Sequence, residues 1–167
     1  MKRRAKLLLA VSAFIFSMSM TTVRAQSNDT SLPQRAGYVN DMAGALDAET
    51  KQKLENILTN LKQRADIQFV LATVKTTNGR DIFDYSQTLA RGWGVVTGTG
   101  RKRGLLMLVA TEDGKTFTQV SKSLVTELPE GLVADMNTRV RVDRYGPSLL
   151  DAVQTFIFAV AARRGFN

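Results

Sequence analysis

Carboxylates and basic side chains carry most of the chemical potential of this sequence, because it holds neither histidine nor cysteine. A Ser-His-Asp triad, a cysteine nucleophile, a His/Cys zinc centre and a disulfide framework are therefore excluded from this chain alone. Among the carboxylates, Asn40-Asp41 stands just ahead of a helical pattern. There the side chains could cap backbone N–H groups, the commoner use, or ligate a hard cation such as calcium or magnesium. Asp81 and Asp84 open a second helical pattern, where negative charge favours the helix dipole. Glu112 and Asp113 are explained by a turn.

The basic candidates are Arg101, Lys102 and Arg103, at the end of the glycine-rich loop Gly92-Trp-Gly-Val-Val-Thr-Gly-Thr-Gly-Arg-Lys-Arg-Gly104. A phosphate cradle requires strand, glycines and then a helix N-terminus. Here the glycines lead into a strand and no Gly-Lys-Ser/Thr follows, so a nucleotide loop is not expected. What remains is a solvated basic cluster able to contact an anion or an anionic partner. Trp93 reads as a plug beneath this loop.

These residues must be held by regular elements, and the apolar pattern supplies them. Asp47 can cap a helix with Leu54, Ile57, Leu58, Leu61 and Ala65 along one face. Residues 67–74 and 104–110 are continuous apolar, β-rich runs, as strands covered on both faces would be. Between them Asn78-Gly79 turns the chain, and a helix from Asp81 carries Ile82, Tyr85 and Leu89 inward. Glu112-Asp113-Gly114-Lys115 predicts a two-residue hairpin into residues 117–121. Pro129 and Pro147 suit the first turns of two further helices. A strand–helix–strand unit followed by a hairpin strand implies a small mixed central sheet with helices on both faces, a three-layer α/β/α sandwich.

The formal net charge is +8, but residues 1–25 contain Lys2, Arg3, Arg4, Lys6 and Arg24 and no acid. A basic start, an apolar run from Leu7 to Met20 and Val23-Arg24-Ala25 follow the order of a secretory signal peptide cut after Ala25. An uncleaved anchor is the alternative reading. The expected organisation is a signal peptide (1–25), a polar flexible leader (26–36) and one domain (37–167), in a periplasmic or secreted protein. The remaining chain carries 18 Lys and Arg against 15 Asp and Glu. That mild excess gives no ground for nucleic-acid binding. No membrane span is expected in the mature chain, since the apolar stretch of the last helix is short and ends in Arg163-Arg164.

The segment Gly37-Tyr-Val-Asn-Asp-Met-Ala-Gly-Ala-Leu46 resembles the opening motif of the TPM domain family, the domain of thylakoid-lumen acid phosphatase-like proteins and many exported bacterial proteins. The likeness continues in order through the first helix, the strand at 67–74, Gly92-Trp93-Gly94, the strand at 104–110 and Leu124…Leu128-Pro129-Glu130. It covers about residues 37–160. The resemblance implies an α/β/α sandwich, export, and either a calcium- or magnesium-dependent phosphatase or an accessory binding module. It also implies a metal region that joins Asn40 and Asp41 to an Asp-Asn-Gly before the second long strand. Here that second half reads Lys102-Arg103-Gly104, and the family's Gly-Tyr-Gly-Leu-Glu reads Ser121-Lys122-Ser123-Leu124-Val125. Cations at such a site would weaken a hard-cation complex.

The expected function is accordingly a non-catalytic, exported TPM-like module binding an envelope protein or an anionic ligand. The alternative is a calcium- or magnesium-dependent phosphatase using Asp41. Peripheral contact of Arg101–Arg103 and Arg163-Arg164 with anionic lipid is a third reading.

Overall fold

The structure, a computed structural model, describes residues 32–96 and 102–164. Residues 1–25, read as a signal peptide, most of the segment read as a leader, residues 97–100 with Arg101, and residues 165–167 lie outside the described residues. The elements are β1 (Val39–Asp41), α1 (Ala48–Ala65), β2 (Gln68–Val74), α2 (Ile82–Gly92), β3 (Gly104–Ala110), β4 (Lys115–Val120), α3 (Lys122–Val125), α4 (Leu132–Arg139) and α5 (Tyr145–Arg164). The sheet order is β1-β2-β3-β4, with β1 and β3 parallel to β2 and β4 antiparallel to β3. This is the expected mixed sheet.

Alternation along β2 and β3 divides the core between the two faces. Phe69, Leu71, Leu105, Met107 and Val109 pack with α1, α4 and α5 through Leu54, Leu58, Met136, Val153 and Phe156. Phe69 meets Phe156 edge to face, with ring centres 5.3 Å apart. Val70, Ala72, Leu106, Leu108 and Ala110 point the other way, onto Leu89, Ala90 and Val95 at α2. Both faces being covered explains why neither strand has a polar side. No described helix is long and apolar enough to cross a membrane.

The caps form as the sequence requires. Asp47 accepts from Thr50 N at 2.8 Å, and Asp81 accepts from Phe83 N and Asp84 N at 2.8 and 3.2 Å. Asn78 and Gly79 turn with φ of 53° and 77°.

Val39–Asp41 is a strand that the sequence pattern did not signal, formed by pairing with Leu71–Thr73. Three local expectations are corrected. The hairpin loop spans four residues, 111–114, because Ala110 pairs with Lys115. Thr111 N and Glu112 N instead continue toward β2, donating to Val74 O and Lys75 O at 2.9 and 2.8 Å. Pro129 lies outside α4, since Gly131, at φ 78°, sets the start of the helix at Leu132. Residues 32–36, read as flexible, are tied to the domain: Trp93 Nε1 donates to Pro33 O at 2.7 Å and Ala36 N to Asn40 Oδ1 at 2.8 Å.

Candidate functional site

Asp41 closes β1 at the C-terminal edge of the parallel strands, where open α/β sheets commonly hold ligands. Its two oxygens accept from Ala45 N and Leu46 N, each at 3.0 Å, and the Thr73 hydroxyl donates to Oδ1. The carboxylate thereby organises the turn that carries the chain from β1 into α1. Asn40 is buried and likewise satisfied. Its Oδ1 accepts from Ala36 N at 2.8 Å and Gly37 N at 3.4 Å, and its Nδ2 donates to Gly37 O at 3.0 Å and Leu71 O at 3.4 Å.

Lys102 and Arg103 precede β3 and therefore stand at the opposite edge of the sheet. Thr73 faces Asp41 and Gln68 faces Gly104 in register. Five residues of strand, about 17 Å at the usual rise, separate the two levels. The expectation that these cations would repel a metal at Asp41 is corrected by that geometry: the distance exceeds the screening length of about 8 Å in physiological salt. Asn40-Asp41 and Lys102-Arg103 do not form one site.

Arg103 has its own partners. Its Nε and Nη2 donate to Glu127 at 2.7 and 2.6 Å in a two-point pair, and Nη1 donates to Ala65 O at 2.7 Å. The guanidinium is mostly enclosed, its side chain 18% exposed. Lys102 is exposed and donates weakly to Gly94 O at 3.4 Å. Two clefts flank Arg103. One, of about 300 Å³, has an apolar floor of Ile67, Leu124 and Val160 and a rim of Glu127, Thr126 and Arg163. The other, of about 260 Å³, is polar and lined by Lys62, Asp66, Gln68 and Lys102. Arg103 and Arg163 both line the first of these clefts. Lys62 is paired with Asp66, whose carboxyl is held below the ordinary carboxylate range chiefly by that hydrogen bond.

The donors present do not fit the calcium or magnesium site that the resemblance implies. Asp41 already accepts two main-chain hydrogen bonds and one hydroxyl, and the positions of the second half are cations at the other edge. Among the described residues no three His, Cys, Asp or Glu converge on a point.

Sequence reasoning missed three partners. Thr73 is invisible until β1 is recognised. Glu127 lies two residues beyond Val125, where the family acid is missing, and supplies a carboxylate that Arg103 takes up. Asp113, assigned to its turn, reaches Thr77 N at 2.9 Å, Thr76 Oγ1 at 2.8 Å and Thr77 Oγ1 at 3.0 Å. These bonds, the Thr77 amide first, hold its carboxyl below the ordinary range.

Comparison with known proteins follows the same outline. A UPF0603 protein of Arabidopsis thaliana, described as chloroplastic, is 30% identical over 87 residues, covering 52% of this chain and 30% of its own length. A rice UPF0603 protein (japonica), also described as chloroplastic, is 29% identical over 87 residues, covering 52% of this chain and 29% of its own length. This chain therefore spans under a third of these relatives.

The fold is shared with the solved N-terminal domain of a P. gingivalis protein, with TM-score 0.64, 20% identity, and coverage of 75% of this chain and 82% of that one. It is also shared with the BA42 protein of Bizionia argentinensis, with TM-score 0.58, 14% identity, and coverage of 71% and 83%. The TPM domain profile matches residues 39–155, and the chain belongs to the TPM domain family.

Proposed function

We propose that this protein is an exported, non-catalytic TPM domain that binds a protein or anionic partner in the cell envelope. The carrying observation is the Arg103–Glu127 pair. Where the resemblance implies acids that would gather a cation, this chain supplies a guanidinium of its own, bound at two points to the neighbouring carboxylate. A bidentate pair of this kind satisfies both charges and holds α3 and its following loop against β3 without a metal. Asp41, the remaining candidate, works as a turn organiser. Export rests on the order of charge and apolarity in residues 1–25. It predicts a mature form that begins at Gln26, as read by N-terminal sequencing.

The reading is tested by calorimetric titration of the purified protein with calcium and then magnesium, beside a thermal melt with each. The expected outcome is no saturable heat and no shift of the midpoint. A stoichiometric isotherm abolished by Asp41→Asn would favour the metal-dependent phosphatase instead.

A further inference from the structure

The three long helices run against the parallel strands, as crossover connections require, and their ends therefore sort by charge. α1 and α2 start beside the C-terminal ends of the strands with Asp47, Glu49, Asp81 and Asp84 in or before their first turns. Their last turns carry Lys62, Arg64 and Arg91. α5 keeps the same direction: the Tyr145 hydroxyl bonds Thr111 O just past β3, and Arg163 lines the cleft of Arg103 just before it. Each basic residue suits the dipole of its own helix. The shared direction gathers them at one end of the domain.

Hydrogen bonds show that these chain ends meet. Arg103 Nη1 donates to Ala65 O at the end of α1 at 2.7 Å, and Lys102 Nζ reaches Gly94 O just past α2 at 3.4 Å. Lys122 joins them from the end of β4, since Ser121 N donates to Gly104 O and Ser123 Oγ to Lys102 O, each at 2.8 Å. Of these seven cations, Lys62 is paired with Asp66 and Arg103 with Glu127. Arg64, Arg91, Lys102, Lys122 and Arg163 are exposed and enter no ion pair among the described residues. The acids on or beside this end are Asp66, Glu127 and Glu130. Three helix C-termini add about half a negative charge each, which leaves an excess of about 2.5 positive charges.

The arrangement fits a charged layer better than a single soluble anion. The free cations do not converge: Lys102 lies on the polar cleft beside Arg103 and Arg163 on the apolar one. A phosphate engages one point, whereas a headgroup layer engages all of them together. Apolar side chains are exposed among the cations: Leu32, 39% exposed, against Gly92 at the end of α2, and Val125, 52% exposed, at the end of α3. A polyanion in water offers such groups nothing, while acyl chains lie just beneath lipid headgroups. The chain also enters the domain here, with Pro33 O accepting from Trp93 Nε1 at 2.7 Å. A membrane that holds the apolar run from Leu7 to Met20, during export or as an anchor, is therefore linked through the chain to the basic end.

We infer that the end of the domain formed by the start of β3 and the C-termini of α1, α2 and α5 docks on an anionic lipid surface. This rests on the binding-module reading and names its partner.

The test is flotation with vesicles of phosphatidylglycerol and phosphatidylcholine in equal parts. It uses the protein processed to Gln26, whose core lies within residues 39–160, so that residues 1–25 do not contribute. The protein should float with these vesicles and bind pure phosphatidylcholine at least tenfold more weakly. Binding should be lost in about 1 M salt, where the screening length is about 3 Å. Lys102→Glu with Arg163→Glu should weaken binding at least tenfold. Lys115→Glu with Arg144→Glu, the same change of net charge at the opposite end, should leave it unchanged, and circular dichroism should show both variants folded.

Absence of flotation, equal binding to neutral vesicles, or equal weakening by the two pairs of substitutions would each overturn the inference. So would displacement from the vesicles by millimolar inorganic phosphate at matched ionic strength, which would mark a soluble anion as the ligand. Binding to soluble polyglutamate as tight as to vesicles carrying the same concentration of anionic groups would favour an acidic protein and overturn the lipid surface. All these results leave the binding-module reading standing; metal-dependent phosphoester turnover would remove that reading, whatever the vesicles do.

Discussion

Asp41 accepts three hydrogen bonds from groups that have no other acceptor at that turn, so its removal strands them in a half-buried setting. Leaving donors of this kind unpaired costs about 1–3 kcal/mol. Asp41→Ala should lower unfolding stability by that amount in urea titration, and Asp41→Asn should recover only part, because its amide turns one acceptor into a donor. A loss under about 0.5 kcal/mol would show that the turn does not depend on the carboxylate. At this scale the sequence was half legible. Asp47 and Asp81 could be assigned as caps because capping is local, between residues two or three apart. Thr73 beside Asp41, Glu127 and Ala65 beside Arg103, and Thr77 beside Asp113 lie 24 to 38 positions away along the chain, and only the tertiary fold brings them together.

The elements that place these residues were legible where their pattern was long. β2, β3, α1, α2 and α5 follow from runs of apolar residues whose spacing matches a single geometry. β1 was not, since three residues with one buried apolar side chain carry no periodic signal and the strand exists by pairing. The four-residue loop was misread because Asp113-Gly114 is a good hairpin signal by itself. The competing bonds of Thr111 and Glu112 to the end of β2 are tertiary. Gly104 tests how closely α2 is delivered to β3: a Cβ added there would fall 2.1 Å from Val95 O, which is main chain and cannot swing aside. Gly104→Ala should therefore destabilise by at least about 1–3 kcal/mol, the usual cost of overpacking. Retention of wild-type stability in chemical denaturation would mean that Val95 does not stand this close to Gly104.

For the whole molecule, the absence of histidine sets the response to pH. No side chain titrates by its ordinary pKa between pH 5 and 8. Asp47, Asp66 and Asp113 are held below the usual carboxylate range, by Thr50, Lys62 and Thr77 with Thr76 respectively. Their contribution is present above an unfolded pKa of about 3.9 and is lost as pH falls through the lower folded values. Burial pushes the Tyr145 hydroxyl, which donates to Thr111 O at 2.9 Å, above its ordinary value. That contribution is full below about pH 10 and is lost as pH rises further. The thermal midpoint should move by less than about 2 °C between pH 5.5 and 8.5. It should decline below pH 4 and above pH 10, as followed by circular dichroism. A step between pH 6 and 7 would contradict this.

The same economy of titrating groups bears on function. In this TPM fold Asp41 is engaged in a turn and Arg103 with Glu127, and no three His, Cys, Asp or Glu gather at one point among the described residues. The direct measurement is steady-state hydrolysis of p-nitrophenyl phosphate by the purified protein in calcium and in magnesium, from pH 5 to 8, with Asp41→Asn in parallel. The account predicts that release of nitrophenol stays at the buffer rate and is identical for both proteins. Turnover by the wild type that depends on the metal and disappears in Asp41→Asn would contradict it.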